Sequence, residues 1–183
     1  MDKKKTIALF GGSFDPPHIG HVAIVEAMLK FKDVNRVVVM PTFLNPFKKL
    51  SHAPSKLRLK WLREIFSEFK NVEVSSYEVD KNKKVSTIET ITYLLNAYQK
   101  IYLVIGADNL SSLHKWDSYE KLKKLVTIVV VPREGIEISR SFLQLNLDVN
   151  ISSSSLRSNM DIKKLPAHCA KECETFYKEN NEK

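Results

Sequence analysis

A doubly wound, Rossmann-like α/β fold, with a parallel sheet, helices on both faces and a small helical carboxyl-terminal segment, is what this chain of 183 residues predicts. Three observations lead there. Short apolar runs rich in β-branched residues recur along the chain, amphipathic helical stretches separate them, and the residues best suited to chemistry fall just after the runs. Alternating strands and helices imply right-handed crossovers and a sheet covered on both faces. Such a sheet binds ligands beyond the carboxyl ends of its strands.

TIALF (6–10) predicts the first strand, the loop GGSFDPPHIGH (11–21) follows, and Val22, Val25, Met28 and Leu29 then recur at helical spacing to about Phe31. RVVVM (36–40) predicts a buried second strand ended by Pro41. The loop PTFLNPFKKLSHAP (41–54) leads to a helix carrying Leu57, Trp61, Leu62, Ile65 and Phe69. VEVS (72–75) predicts a short third strand. Ser86 with Glu89 predicts a capping box that opens a helix to about Tyr98, and IYLVIG (101–106) a fourth strand. Asp117 with Glu120 predicts the cap of a helix through Leu125, before VTIVVV (126–131) makes a fifth strand that Pro132 stops. LDVNI (147–151) predicts a short sixth. From Ser152 the pattern is helical, with Pro166 separating a short helix from a last one reaching about Lys178. No repeat, low-complexity tract or linker interrupts the series, so one domain over 1–183 is expected, with a core to 151 and a helical segment over 152–183.

The 43% hydrophobic and 27% charged content is that of an ordinary globular protein. No apolar run approaches the roughly 20 residues that cross a bilayer, and the lysine-rich start enters a strand without a signal-peptide core. A cytoplasmic protein is expected, with no membrane partner. The formal charge of +8 favours anionic partners, whether nucleic acid, membrane surface or small phosphorylated substrate. Interspersed acids make most of the basic residues a solvated surface. Cys169 and Cys173, four apart in a helical tail, suit reduced thiols, and neighbouring His168 has no fourth ligand to complete a metal site.

The first loop carries the sharpest signal. Gly11 and Gly12, with Gly20 at the helix start, let backbone amides approach a ligand, and the helix amino terminus offers unpaired N–H groups to an anion. This is a phosphate cradle, though neither a Walker loop nor a dinucleotide Gly-x-Gly-x-x-Gly turn. His18 and His21, three apart, share one helix face, so both rings can address one phosphate. A zinc pair lacks further ligands, and simple helix capping would account for a lone histidine but less well for two behind a glycine turn. Other distinctive residues fall at strand ends as well: Lys48 after the second strand, Gly106 to Asp108 after the fourth, Arg133 after the fifth and Ser152 after the sixth.

On these residues the chain resembles the nucleotidylyltransferase superfamily. His18, Gly20 and His21 match its His-x-Gly-His element, and ISSSSLR (151–157) is similar to its Ile-Ser-Ser-Thr-x-x-Arg hallmark, with Ser154 in place of threonine and Arg157 retained. Over almost its whole length the chain resembles bacterial nicotinate-nucleotide adenylyltransferases. VSTIETITYL (85–94) is similar to their Ser-Tyr-Thr-x-(Asp/Glu)-Thr segment, which implies Thr87 at the nicotinate carboxylate. IGADNLSSLHKW (105–116) is similar to their Gly-x-Asp-x-Leu…Trp segment, which implies Asp108 near a ribose and Trp116 against the pyridine ring. Ser86 stands where that family has tyrosine, and NPFKK keeps Pro46 and Lys48 of its Pro-Pro-His-Lys element.

The resemblance implies that ATP and nicotinate mononucleotide are joined to give nicotinate adenine dinucleotide and pyrophosphate, in NAD biosynthesis. His18, His21, Lys48 and Arg157 fall at the catalytic positions, Gly11, Gly12, Ser13, Phe14, Gly20, Asp108, Arg133, Ser152, Ser153 and Ser154 would meet ATP, and Thr87 and Trp116 the nicotinate. Taken alone, Trp116 reads equally as core and Arg133 as surface. Magnesium is expected on the ATP phosphates, with no dedicated protein metal site. Asp15 and Asp108 are outer-shell candidates, although Asp15 reads first as a turn residue before Pro16. Alternatives are a sister enzyme acting on nicotinamide mononucleotide or phosphopantetheine, or a non-catalytic nucleotide or RNA binder. The sequence leaves open whether the chain is a monomer or a homo-oligomer, and whether the 42–54 loop closes over substrate.

Overall fold

The computed structural model describes residues 5–31, 33–147 and 150–181. Among them β1 (Thr6–Gly12), β2 (Arg36–Pro41), β3 (Val72–Val74), β4 (Lys100–Gly106), β5 (Thr127–Val131) and β6 (Leu143–Gln144) form one parallel sheet in the order β3-β2-β1-β4-β5-β6. In β1, Phe10 stands opposite Val39 on one side and Val104 on the other. The chain builds outward from β1 to β3, then returns to the other side of β1 to lay down β4. That reversal opens a crevice at the carboxyl ends of β1 and β4, where doubly wound sheets bind ligands.

Side chains alternate across each strand, which divides the core in two. Ala8, Phe10, Val37, Val39, Val104 and Val129 face α1 (Ile19–Leu29), α2 (Ser55–Ile65) and α7 (Ala170–Asn181), meeting Val25, Met28, Trp61, Leu62 and Tyr177. Ile7, Leu9, Val38, Ile101, Leu103 and Val130 face α4 (Thr87–Leu94) and α5 (Tyr119–Leu125), meeting Ile88, Ile91 and Leu122. Each buried Val, Leu, Ile, Phe or Met among them contributes roughly 1.5–3 kcal/mol of transfer free energy. No helix among the described residues is long and apolar enough to cross a membrane.

Several elements differ from expectation. The last strand of the sheet is Leu143–Gln144, paired with Val129 and Val130. Of the predicted strand over 147–151, residues 148 and 149 lie outside the described residues, while Leu147, Asn150 and Ile151 are irregular. Ile151 is held by a side chain: Arg133 Nη1 donates to its carbonyl at 2.8 Å. Helix α2 stops at Ile65 and α4 at Leu94, with Phe69 and Tyr98 carried on the turns that follow. Ser86 precedes α4 in extended conformation without a side-chain cap, and the Glu89 carboxylate lies 4.0 Å from Lys81 Nζ. Residue Ser118, at φ 53°, starts α5, and the Asp117 carboxylate accepts its hydroxyl instead of capping the helix. A single turn, α3 (Tyr77–Asp80), a 3-10 stretch over Ala107–Lys115, α6 (Ser153–Ser158) and a 3-10 turn at Ile162–Lys164 complete the chain.

Candidate active site

The glycine loop leaves β1 at the crevice and turns straight into α1. Gly12 is required by packing: a Cβ there would lie 3.2 Å from the Phe14 ring, closer than side chains normally approach. Phe14, at φ 49°, is 2% exposed, and its ring meets Phe10 edge-on at 5.4 Å and His21 at 4.8 Å. It is the floor on which the histidines rest, so only its backbone is left to face a ligand.

His18 occupies the N-cap of α1 and His21 the third helical position, and their rings stack with centroids 3.5 Å apart. The His18 backbone N–H donates to His21 Nδ1 at 3.1 Å. An accepting Nδ1 is deprotonated, so neutral His21 carries its proton on Nε2 and presents an N–H donor there. Burial drives the His18 pKa down to about 3, helped by the positive charge of Arg133. His21 is likewise held well below the ordinary histidine value, by burial first, then by His18 and Arg133. Near neutral pH both rings are therefore uncharged hydrogen-bond donors beside a permanent cation.

The two ends of the chain meet at this loop. Arg157, on α6, donates from Nη1 to the Asp15 carbonyl and from Nη2 to Ser154 Oγ at 3.1 Å. Ser153 Oγ donates to the Pro16 carbonyl at 2.8 Å, while Ser152 caps α6 by accepting the Ser155 N–H at 3.1 Å. At the neighbouring strand ends Arg133 reaches toward Asp108, Nε to Oδ1, at 3.7 Å. The Asp108 carboxylate is largely exposed at the mouth of the crevice.

Other predicted residues stand further out. Thr87 begins α4 and Trp116 ends the 3-10 stretch after β4, both half-buried at the carboxyl edge of the sheet. Trp116 packs against the α4 and α5 side of the core, and its indole N–H is buried without a protein acceptor. Lys48 is exposed near the tip of the 42–54 loop, not packed into the histidine loop. Gly11 lies at the exposed end of β1 and Gly20 is buried in the first turn of α1.

The comparisons with known proteins follow the same lines. A family model described as cytidylyltransferase-like matches residues 9–159, which take in both the glycine loop and ISSSSLR. A protein of Sulfurimonas denitrificans named "Probable nicotinate-nucleotide adenylyltransferase" is 62% identical over 176 residues, 96% of this chain and 97% of that one. This chain belongs to the nicotinate-nucleotide adenylyltransferase family. A Nitratiruptor protein of the same name is 44% identical over 94% of this chain and 98% of its own. Among solved structures, Plasmodium falciparum nicotinic acid mononucleotide adenylyltransferase complexed with NaAD superposes with a TM-score of 0.78 at 18% identity, covering 97% of this chain and 98% of that one. At that identity the likeness is one of fold, and it covers nearly all of the chain.

Beneath the family's signature loop lie three residues that the sequence reading left aside or took for a turn. Asp15 is 2% exposed, and its carboxylate accepts the His52 N–H at 2.8 Å, the Ala53 N–H at 2.9 Å and the Tyr177 hydroxyl. These bonds outweigh its desolvation and hold its pKa below the usual carboxylate value. With both oxygens committed to the protein, Asp15 is unsuited to a magnesium shell. Arg58, fully buried, donates to the carbonyls of Ser13, Thr42, Phe43 and Ala53. A signal was available for both Arg58 and Tyr177. Arg58 shares a helix face with Trp61, Leu62 and Ile65, and Tyr177 shares one with Ala170 and Cys173, so each is a polar group at an apolar position of its period.

Proposed function

We propose that the chain transfers the adenylyl group of ATP to nicotinate mononucleotide, releasing pyrophosphate and forming nicotinate adenine dinucleotide for NAD biosynthesis in the cytoplasm. A phosphate oxygen of the mononucleotide forms a bond to the α-phosphorus of ATP as the bond to the bridging oxygen of pyrophosphate breaks. The nucleophile is already an anion at neutral pH, so no general base is required. What the reaction requires is alignment and offsetting of the charge that grows on the α-phosphate and the leaving group.

The crevice supplies that. Neutral His21, with its proton fixed on Nε2, and its stacked neighbour His18 would donate to the ATP phosphates without carrying charges whose own desolvation would be expensive. Permanent charge would come from Arg133 and Arg157 beside them and from Lys48 on its loop. ATP would enter as its magnesium complex, the ion held mainly by the phosphate oxygens. Asp108, exposed at the mouth beside Arg133, is the carboxylate placed to meet that ion's water shell or a ribose. Thr87 at the start of α4 would receive the nicotinate carboxylate. The unpartnered indole N–H of Trp116 adds a donor beside the ring it would stack on.

One observation carries the reading: the loop that holds the histidine pair is bonded, through the carbonyls of Asp15 and Pro16, to Arg157 and Ser153 of the ISSSSLR segment from the distant carboxyl end, at the switch point of the sheet. The test is pyrophosphate release from magnesium-ATP with nicotinate mononucleotide, nicotinamide mononucleotide and phosphopantetheine offered in turn. Turnover with the first is expected to exceed the others. Activity confined to another acceptor overturns the substrate, and RNA retention without any turnover overturns the enzyme. His21→Ala is expected to lower kcat roughly a hundredfold or more with the fold intact, the size seen when a phosphate-stabilising donor is removed.

A further inference from the structure

We infer that Asp15, Arg58 and Tyr177 form a staple that positions the 42–53 loop for turnover, so that the carboxyl-terminal helix, outside the crevice, sets where the loop presents Lys48. The inference rests in part on the role proposed above for Lys48. Its geometry stands apart from that role.

Both ends of the loop are fixed to Arg58, and the far end to Asp15 as well. At the start, Arg58 Nη2 bonds the carbonyls of Thr42 at 2.8 Å and Phe43 at 2.9 Å. At the far end, Arg58 Nε bonds the carbonyl of Ala53 at 3.0 Å, and the Asp15 carboxylate takes the amides of His52 and Ala53. The fork of Arg58 also reaches the Ser13 carbonyl, within the glycine loop. One planar guanidinium thus fixes the distance between the phosphate turn and the loop that crosses above it, which a lysine's point charge could not do.

Tyr177 closes the staple from α7. Its hydroxyl donates to Asp15, and burial beside that carboxylate raises its pKa far above the ordinary tyrosine value, so it remains a donor at every working pH. Opposing these fixed ends is a free tip. Phe47 and Leu50, on either side of Lys48 and Lys49, are 59% and 64% exposed, and one visible tether there is Lys84 Nζ on the Pro46 carbonyl at 3.2 Å. Clamped ends with an exposed apolar tip are what a loop needs if its base is to hold register while its tip meets a ligand.

Tyr177→Phe is the discriminating variant, because it deletes one hydroxyl and leaves the ring packed against Trp61 and Phe176. The amides of His52 and Ala53 are expected to exchange about tenfold faster or more, the factor that accompanies loss of a hydrogen bond to a charged acceptor. At a temperature where the variant remains folded, kcat should fall about threefold to tenfold with KM for ATP little changed, the sign of misplacement in the transition state and not of lost binding. In a Lys48→Ala background the same change should do almost nothing further. Arg58→Lys should move kcat in the same direction and further. Should it fail to fold, Tyr177→Phe decides alone. Wild-type kcat in Tyr177→Phe, or losses that simply multiply with Lys48→Ala, overturn the staple. Wild-type turnover in Lys48→Ala by itself removes the role of Lys48, and the staple is then judged on the kcat of Tyr177→Phe.

Discussion

Glu78→Gln should stabilise this protein in alkaline solution and leave it unaltered in acid. Glu78 sits on the single turn α3, 6% exposed, and its carboxyl accepts the Thr90 hydroxyl of α4 at 2.6 Å. Burial pushes its pKa from 4.5 to about 7, with the charge of Glu89 adding to the rise and the Thr90 bond opposing it. A carboxyl with a raised native pKa favours folding below its unfolded value, and that advantage disappears as pH rises through the native value. The interval, at about 1.4 kcal/mol per pH unit, amounts to roughly 3 kcal/mol lost between pH 4.5 and 7. Glutamine keeps the shape and the acceptor for Thr90 while removing the titration. Urea unfolding of both proteins from pH 4.5 to 8.5 measures the outcome: the variant's advantage should grow through this window and level off above pH 7, reaching about 2–3 kcal/mol. A difference that does not vary with pH, or a variant weaker than wild type at pH 8.5, would refute burial as the cause. The effect should reach the reaction too, because Glu78 bonds Thr90 of the helix whose first residue, Thr87, is proposed to receive the nicotinate.

Two further outcomes follow from the crevice. Arg133→Gln should raise the His18 pKa from about 3 yet leave it below the unperturbed 6.5, since burial is the larger cause and the arginine charge the smaller; imidazole NMR across a pH titration reads this, and an unmoved resonance would remove Arg133 from the histidines' surroundings. Gly12→Ala should cost about 1–3 kcal/mol in denaturant unfolding, because the new methyl meets the Phe14 ring at 3.2 Å and that ring is wedged between Phe10 and His21. Turnover should fall as well, through displacement of His21. A stability change within about 0.5 kcal/mol would show that the floor has room to yield.

Most of the sheet was legible because its residues obey one local rule. RVVVM and VTIVVV are β-branched, continuous and bounded by turn residues, as strands buried on both faces must be, and no tertiary contact alters that. Elements defined by a neighbour were not legible. Leu143–Gln144 is a strand only because Val129 and Val130 offer it a ladder, whereas the described residues of LDVNI, Leu147, Asn150 and Ile151, are irregular despite the better pattern. The capping motifs were a weaker guide: Ser86 and Glu89 have the right spacing without a side-chain cap, and the Asp117 carboxylate takes the neighbouring Ser118 hydroxyl, choices of rotamer that a pair of letters does not fix.

The same distinction separates the parts of the site. The histidines and glycines announce themselves because a phosphate cradle needs unusual residues close together in sequence, and ISSSSLR does so because it is a local helix start. Arg58, Asp15 and Tyr177 work at separations of up to 162 residues, and each looks ordinary where it stands. Yet each violates its own surroundings: an arginine and a tyrosine hydroxyl on apolar helix faces, and a carboxylate between the buried Phe14 and Pro16. A charged group is retained in such a place only where other groups satisfy it, since an unpaired one would be among the most destabilising features a core can hold. Polar residues at apolar periods are therefore the sequence's record of contacts it cannot otherwise show. On the function proposed here they mark the framework of the crevice, while the conspicuous motif marks the groups that would meet the phosphates.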